Sequence, residues 1–390
     1  MNYTITKNNR TLTYVLMAIG LVAIVYGFVS DPHRTWASLL LNNFYVMAIA
    51  LAGTFFLAFN SVAQSSWWVV LKRVVEAMGT HILPAGIIML LIFAFGHHDL
   101  YHWTHAELYD KSSDHYDKIL DGKHGFLNIP FFVIRMIVYF GIWIIFTRIF
   151  RKESLLEDTD GDLKHYKKTF RFGAAFLVLF GITSSMSAWD FIMSVDSHWF
   201  STLFGWYIFA GLFVSGLTVI AMLVVYLKSR GYLESVNDNH LQDIGKYMFA
   251  FSIFWTYLWF AQFMLIWYAN LPEEVVYYIA RMDHYRGLFI TNFAINFSVP
   301  FLLFMTRDAK RKKNLLLIGG VFMLIGHWID VYLMVTPGTQ GSHGHIGFIE
   351  LGTLAGLAGL FLFMVFNALS KAPMMPQKHP MLEESKHFEL

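Results

Sequence analysis

Of the 390 residues, 56% are hydrophobic and only 14% are charged, where soluble domains carry about a quarter, and mean hydropathy is +0.49. So apolar a chain excludes a soluble globular enzyme and a disordered polymer, because it collapses or inserts. The lack of cysteine excludes disulfides, thiolate zinc sites, Cys-ligated iron–sulfur clusters and covalent haem c, while a net charge of +2 is uninformative until the charges are placed.

A membrane helix needs about 20 mainly apolar residues. Ten stretches qualify, at roughly 11–30, 39–61, 77–97, 129–150, 170–189, 202–227, 244–270, 285–306, 314–335 and 346–369. The expected fold is therefore all-α, a polytopic membrane protein of ten transmembrane helices. Residues 1–375 form a single integral membrane domain and 376–390 a cytoplasmic C-terminal tail. The first span starts ten residues in and lacks a small-residue cleavage site after it, unlike a secretory leader.

Lys and Arg set the orientation, since cytoplasmic loops carry their excess. Of the 29 Lys and Arg, six (Arg34, Lys111, Lys118, Lys123, Arg281 and Arg286) fall on one side and Arg135 falls inside a span. The remainder gather on the other, including Lys7, Arg10, Lys72, Arg73, Arg148, Arg151 and Lys152, Lys310 to Lys313, and Lys371. Both termini are thus expected in the cytoplasm. Trp36, Trp189, Trp199 and Trp206 fall near the opposite interface, as an aromatic belt would.

Ionisable residues inside spans are costly and face a bundle interior or water. In chain order, span 3 starts with Glu76 and carries His81, about 7–8 Å further in at 1.5 Å per residue. Pro84 predicts a kink there. The long loop 98–128 follows. His98, His102 and His105 have i, i+4, i+7 spacing, which on a helix offers three imidazoles to a metal; the competing reading is a docking surface for an extramembrane partner. Arg135 lies about 9 Å inside span 4; it either snorkels or pairs with a carboxylate. Asp190 ends span 5, as a cap or as a site residue. Pro300 predicts a kink in span 8.

Span 9 brings His327 and Asp330 onto one face, Asp330 about one turn from its end; such a pair suits proton relay or a quinone site. Glu350 opens span 10, where Gly352, Gly356 and Gly359 allow close helix contact. His81 and His327 lie at different depths, so a shared haem is disfavoured.

Four stretches carry a resemblance: SAWDFIMSVDSHWFSTLFGWYIFAG at 187–211, YLWFAQFMLIWYANLPEE at 257–274, GHWIDVYLMVTPG at 326–338 and YHWTHAEL at 101–108. Together they resemble the NrfD-like (polysulfide reductase NrfD) family, in the form of the smaller of its two membrane subunits in bacterial alternative complex III, a quinol:cytochrome c oxidoreductase. The resemblance spans most of the chain. It implies two four-helix bundles, spans 2–5 and 6–9, flanked by spans 1 and 10, in the bacterial inner membrane. It implies partners: a larger NrfD-like subunit, subunits carrying iron–sulfur clusters and haem c, and a terminal oxidase.

On this reading the chain binds no redox cofactor, with quinone or lipid as its small ligands and no nucleic-acid partner. It stabilises the complex and conducts protons. Glu76 and His81 serve the cytoplasmic half; Arg135, Asp190, His327, Asp330 and Glu350 serve the periplasmic half. Two rivals stand beside it: direct quinol binding by the periplasmic group, and a stand-alone secondary transporter with its substrate at the intramembrane charges.

Overall fold

The computed structural model describes residues 3–389. It is helical, with no β-strand element among the described residues. Ten helical segments are long and apolar enough to cross a membrane: span 1 Lys7–Ser30, span 2 Pro32–Val62, span 3 Val69–Leu100, span 4 Ile129–Asp160, span 5 Leu163–Val195, span 6 Phe204–Ser229, span 7 Asp238–Ala269, span 8 Arg286–Phe304, span 9 Lys313–Gln340 and span 10 Phe348–Leu369. The chain is a multi-pass membrane protein.

Most expected spans are right in place and short in length. Spans 4 and 5 run beyond the apolar stretch and meet at a tight turn. Gly161 takes a left-handed φ of +70° and its N–H closes on the Glu157 carbonyl, while the Asp162 side chain caps span 5 by accepting from Lys164 N. Hydropathy cannot see these ends, because the extra turns are charged.

Both prolines mark an interruption of regular helix, each at the carbonyl that the proline ring displaces. Pro84 leaves Thr80 without its usual partner, and span 3 divides into Lys72–Gly79 and Ile82–Leu100. Pro300 does the same to Asn296, and Ala294–Ser298 widens into a π-helical turn. Span 9 instead continues through Pro337 to Gln340. Asp330 is therefore ten residues from its end, roughly 15 Å at the helical rise, and not one turn from it.

Spans 2 and 6 are the most enclosed, each 83% buried over its apolar window. Span 2 packs against spans 3, 5, 6 and 10, and span 6 against spans 7 and 9. Spans 1 and 10 meet along the small-residue stripe. A Cβ on Gly20 would lie 2.3 Å from Gly356 Cα, and one on Gly352 would lie 2.4 Å from Ala23 Cβ. Only glycine permits this approach.

One end of the molecule holds both the first and the last described residues: Thr4 bonds Tyr232 and the Phe388 carbonyl accepts from Asn237. Residues 371–389 lie folded across this end, where Ser385 Oγ donates to Trp67 O and accepts from Val70 N. The other end holds the loop 101–128, clipped to residues 196–203 by Lys123 Nζ on Ser197 O at 2.7 Å and by His198 on Asp117 at 2.5 Å. Trp206 is exposed there as a belt residue should be, but Trp199 is buried and stacked on Tyr277 at 3.9 Å.

Candidate functional site

At the loop end, Arg135 and Asp190 are partners. Arg135 Nε and Nη2 donate to the two Asp190 oxygens, both at 2.8 Å. Tyr139 Oη adds a bond of 2.7 Å to the same carboxylate, and Arg135 Nη1 reaches the Phe126 carbonyl. Both residues are buried. Arg135 thus pairs rather than snorkels, and a bidentate fork fixes its orientation. Asp190 spends its carboxylate on this pair, while its backbone carbonyl accepts from Ser194 Oγ.

Asp330 is different. It is 3% exposed and is held by three neutral donors: Tyr207 Oη, Trp255 Nε1 at 3.1 Å and Asn292 Nδ2 at 2.8 Å. These come from spans 6, 7 and 8, so the carboxylate in span 9 ties four helices together. None of the three is a cation. A buried carboxylate without a counter-ion is costly unless several donors share its charge.

His327, one turn earlier, does not bond Asp330. Neither of its ring nitrogens has a hydrogen-bond partner, and its ring meets the edge of Trp255 at 5.4 Å. The two residues share something else: a cavity of about 20 Å³ between spans 2, 6 and 9, lined also by Tyr45 and Ser215. A second cavity of about 20 Å³ touches Asp330 from the other side, among Tyr207, Gln262, Tyr278, Arg281 and Asn292. Each volume suits a single water.

Arg281, in the wall of the second cavity, belongs to the short helix Pro272–His284. It is 2% exposed. It donates to Leu333 O at 2.8 Å, and to Asp196 Oδ2 at 2.9 Å. Asp196 has 26% of its side chain exposed, so this cluster connects the interior to the loop surface. Glu350 is a clamp: Arg34 donates to its two oxygens at 2.7 and 2.6 Å, and Gly347 N–H caps it at 2.8 Å.

At the termini end, Glu76 Oε2 accepts from Arg73 and Arg151, both at 2.7 Å. Arg73 also bonds Asp158, and Lys72 reaches Glu157 at 3.1 Å. His81 does not join this cluster. It occupies the break in span 3, fully buried, with both ring nitrogens unbonded and its ring against Phe361 at 5.5 Å. Glu76 and Asp330 belong to separate networks.

The loop histidines do not share a helical face, because span 3 stops at Leu100 and a 3-10 turn follows at His102–Thr104. His98 and His105 rings come within 5.2 Å, and His102 and His105 within 5.6 Å. No group of three metal-ligating side chains is found among the described residues. Burial lowers the pKa of the His102 imidazole, with His105 and His198 adding to the effect.

The neutral donors Tyr207, Trp255 and Asn292, and the Arg281–Asp196 pair outside the spans, are not visible to a search for ionisable residues within hydrophobic stretches. Asn292, an amide in a span, was an available signal. No family model matches the chain, and no curated protein matches it.

Proposed function

We propose that this chain is a cofactor-free integral membrane subunit of a respiratory quinol:cytochrome c oxidoreductase of the alternative complex III type, structural and proton-conducting. The four Trp-rich stretches support the complex. The proton role is carried by one observation: Asp330, buried without a counter-ion, with a water-sized cavity on either side. A carboxylate with this surrounding can take and release a proton between waters, and Arg281 and Asp196 continue the path to the loop surface. Glu76 and His81 are the counterpart at the termini end, and Arg135, Asp190 and Glu350 hold the helices in place around the route.

The packing supports two four-helix bundles, spans 2–5 and 6–9, since span 5 packs on spans 2 and 4, and span 9 on spans 6 and 8. Spans 1 and 10 pair with each other, and span 10 also packs on spans 2 and 3. The Lys and Arg distribution supports a cytoplasmic termini end in a bacterial inner membrane. Partner subunits then hold the iron–sulfur clusters and haem c, beside the larger NrfD-like subunit. The cavities beside Asp330 have room for water and not for a quinone ring, which favours proton transfer over direct quinol binding there.

The test is Asp330→Asn in the complex, reconstituted in liposomes. The proton-to-electron ratio falls while quinol oxidation and subunit content are retained. An unchanged ratio in an intact complex defeats the proton role. Loss of quinol oxidation itself moves the site to quinol. Transport by the isolated chain in liposomes revives the transporter.

A further inference from the structure

The geometry points to a binding site for an anionic phospholipid in the cleft between spans 3 and 4 at the termini end. The cleft has a volume of about 560 Å³, within the range of small-ligand sites and enough for a headgroup with the upper part of an acyl chain. Its walls are apolar, formed by Leu83, Ile144, Leu155 and Leu156. Leu83 and Leu156 are 39% and 37% exposed, so the cleft opens sideways onto the protein surface.

Its rim is basic. Arg148, Arg151 and Lys152 all line it. Arg151 is occupied by Glu76 and the Ala368 carbonyl. Arg148 and Lys152 are exposed, and among the described residues no carboxylate lies within ion-pair distance of either. Arg148 is the first charge after Arg135 along span 4, so it sits where the apolar stretch gives way to the interface. Two uncommitted cations at headgroup depth, above an apolar slot, match an anionic lipid and not a soluble anion.

The cleft has one acidic group, Glu76. Its Oε2 is shared between Arg73 and Arg151, so its charge is already compensated. Its Oε1 is buried and has no hydrogen-bond partner. The Glu76 side chain is only 1% exposed, so it is sealed behind the arginines and does not repel an anionic headgroup. The phosphate then sits between Arg148 and Lys152, and one chain runs along Leu83 and Ile144.

The full-length chain in detergent is titrated with phosphatidylglycerol or phosphatidylcholine and followed by native mass spectrometry. One phosphatidylglycerol is expected to bind per chain in preference to phosphatidylcholine. In Arg148→Gln/Lys152→Gln its affinity falls about thirtyfold, equivalent to about 1 kcal/mol for each lost cation. Lys164→Gln/Lys168→Gln, a pair of exposed lysines elsewhere at the same end, binds as the wild type does. Equal retention of the two lipids, equal weakening in both variants, or displacement by inorganic phosphate overturns the proposal; the last identifies a free-anion site. A photo-crosslinker at Leu156 in native membranes captures lipid if the proposal holds, and a protein subunit if a partner helix fills the cleft instead.

Discussion

Arg135 and Asp190 join span 4 to span 5 through two parallel hydrogen bonds of 2.8 Å, and the matching place beside Asp330 has no arginine. Arg135 is the seventh residue of span 4, and Asn292 is the seventh residue of span 8. Each reaches the aspartate of the helix that follows it. One aspartate is therefore locked by a permanent cation. The other rests on amide, indole and phenol donors, and its proton is not committed.

The locked pair is expected to be structural. Arg135→Met strands a buried carboxylate, and loss of one partner of such a pair costs about 3–5 kcal/mol. Arg135→Met/Asp190→Leu should recover most of this loss. Denaturation in mixed micelles measures both. A single variant as stable as the wild type removes the pair from the fold's support.

At Asp330 the donors test the charge. Tyr207→Phe deletes one hydrogen bond, worth about 1.5–3 kcal/mol to an ionised acceptor and about 1 kcal/mol to a neutral one. The loss is expected to be larger in the native background than in Asp330→Asn. A double-mutant cycle on unfolding reads the difference. Equal losses mean that the hydrogen bond is a neutral one.

Hydropathy made the ten spans legible, and the charged ends of spans 4 and 5 and the polar end of span 9 were not, because those turns are helical without being apolar. Pro84 and Pro300 announced real breaks, since a missing N–H acts locally whatever surrounds it. Pro337 announced nothing, because span 9 continues through it to Gln340. Among candidate residues, sequence spacing brought His327 and Asp330 to one face but not into contact. That Arg135 meets Asp190, or that Tyr207 and Asn292 converge on Asp330, depends on which helices pack together. A one-dimensional pattern does not contain that. The loop histidines failed for the opposite reason: their helical spacing was present, and the helix was not.

The contact between spans 1 and 10 is expected to be intolerant of side chains. Gly20→Leu forces a branched chain where a Cβ alone would meet Gly356 Cα at 2.3 Å, so the helices must separate. Overpacking of this kind costs about 1–3 kcal/mol or more. Gly141→Ala in span 4 is the control. A Cβ there meets nothing within 4 Å, and alanine improves on glycine in a helix by about 1 kcal/mol. Thermal unfolding in detergent should move in opposite directions for the two variants; equal shifts would show that close packing is not what Gly20 provides.

The folded-over C-terminal segment is expected to be acid-labile through His379. This imidazole is 8% exposed, and burial, aided by Lys72 and Arg73, pushes its pKa down to about 2. Once released, it returns to the ordinary value near 6.5. The released segment therefore binds more protons between those limits, and docking weakens as pH falls below about 6.5, by at most about 1.4 kcal/mol per unit for one group. Above that pH the contribution is complete and constant. Hydrogen exchange of residues 371–389 at pH 7.5 and pH 5.5 checks this. The segment should exchange faster at the lower pH after correction for intrinsic rates, and His379→Gln should remove the difference. Acid-induced opening that persists in His379→Gln assigns the lability to another group.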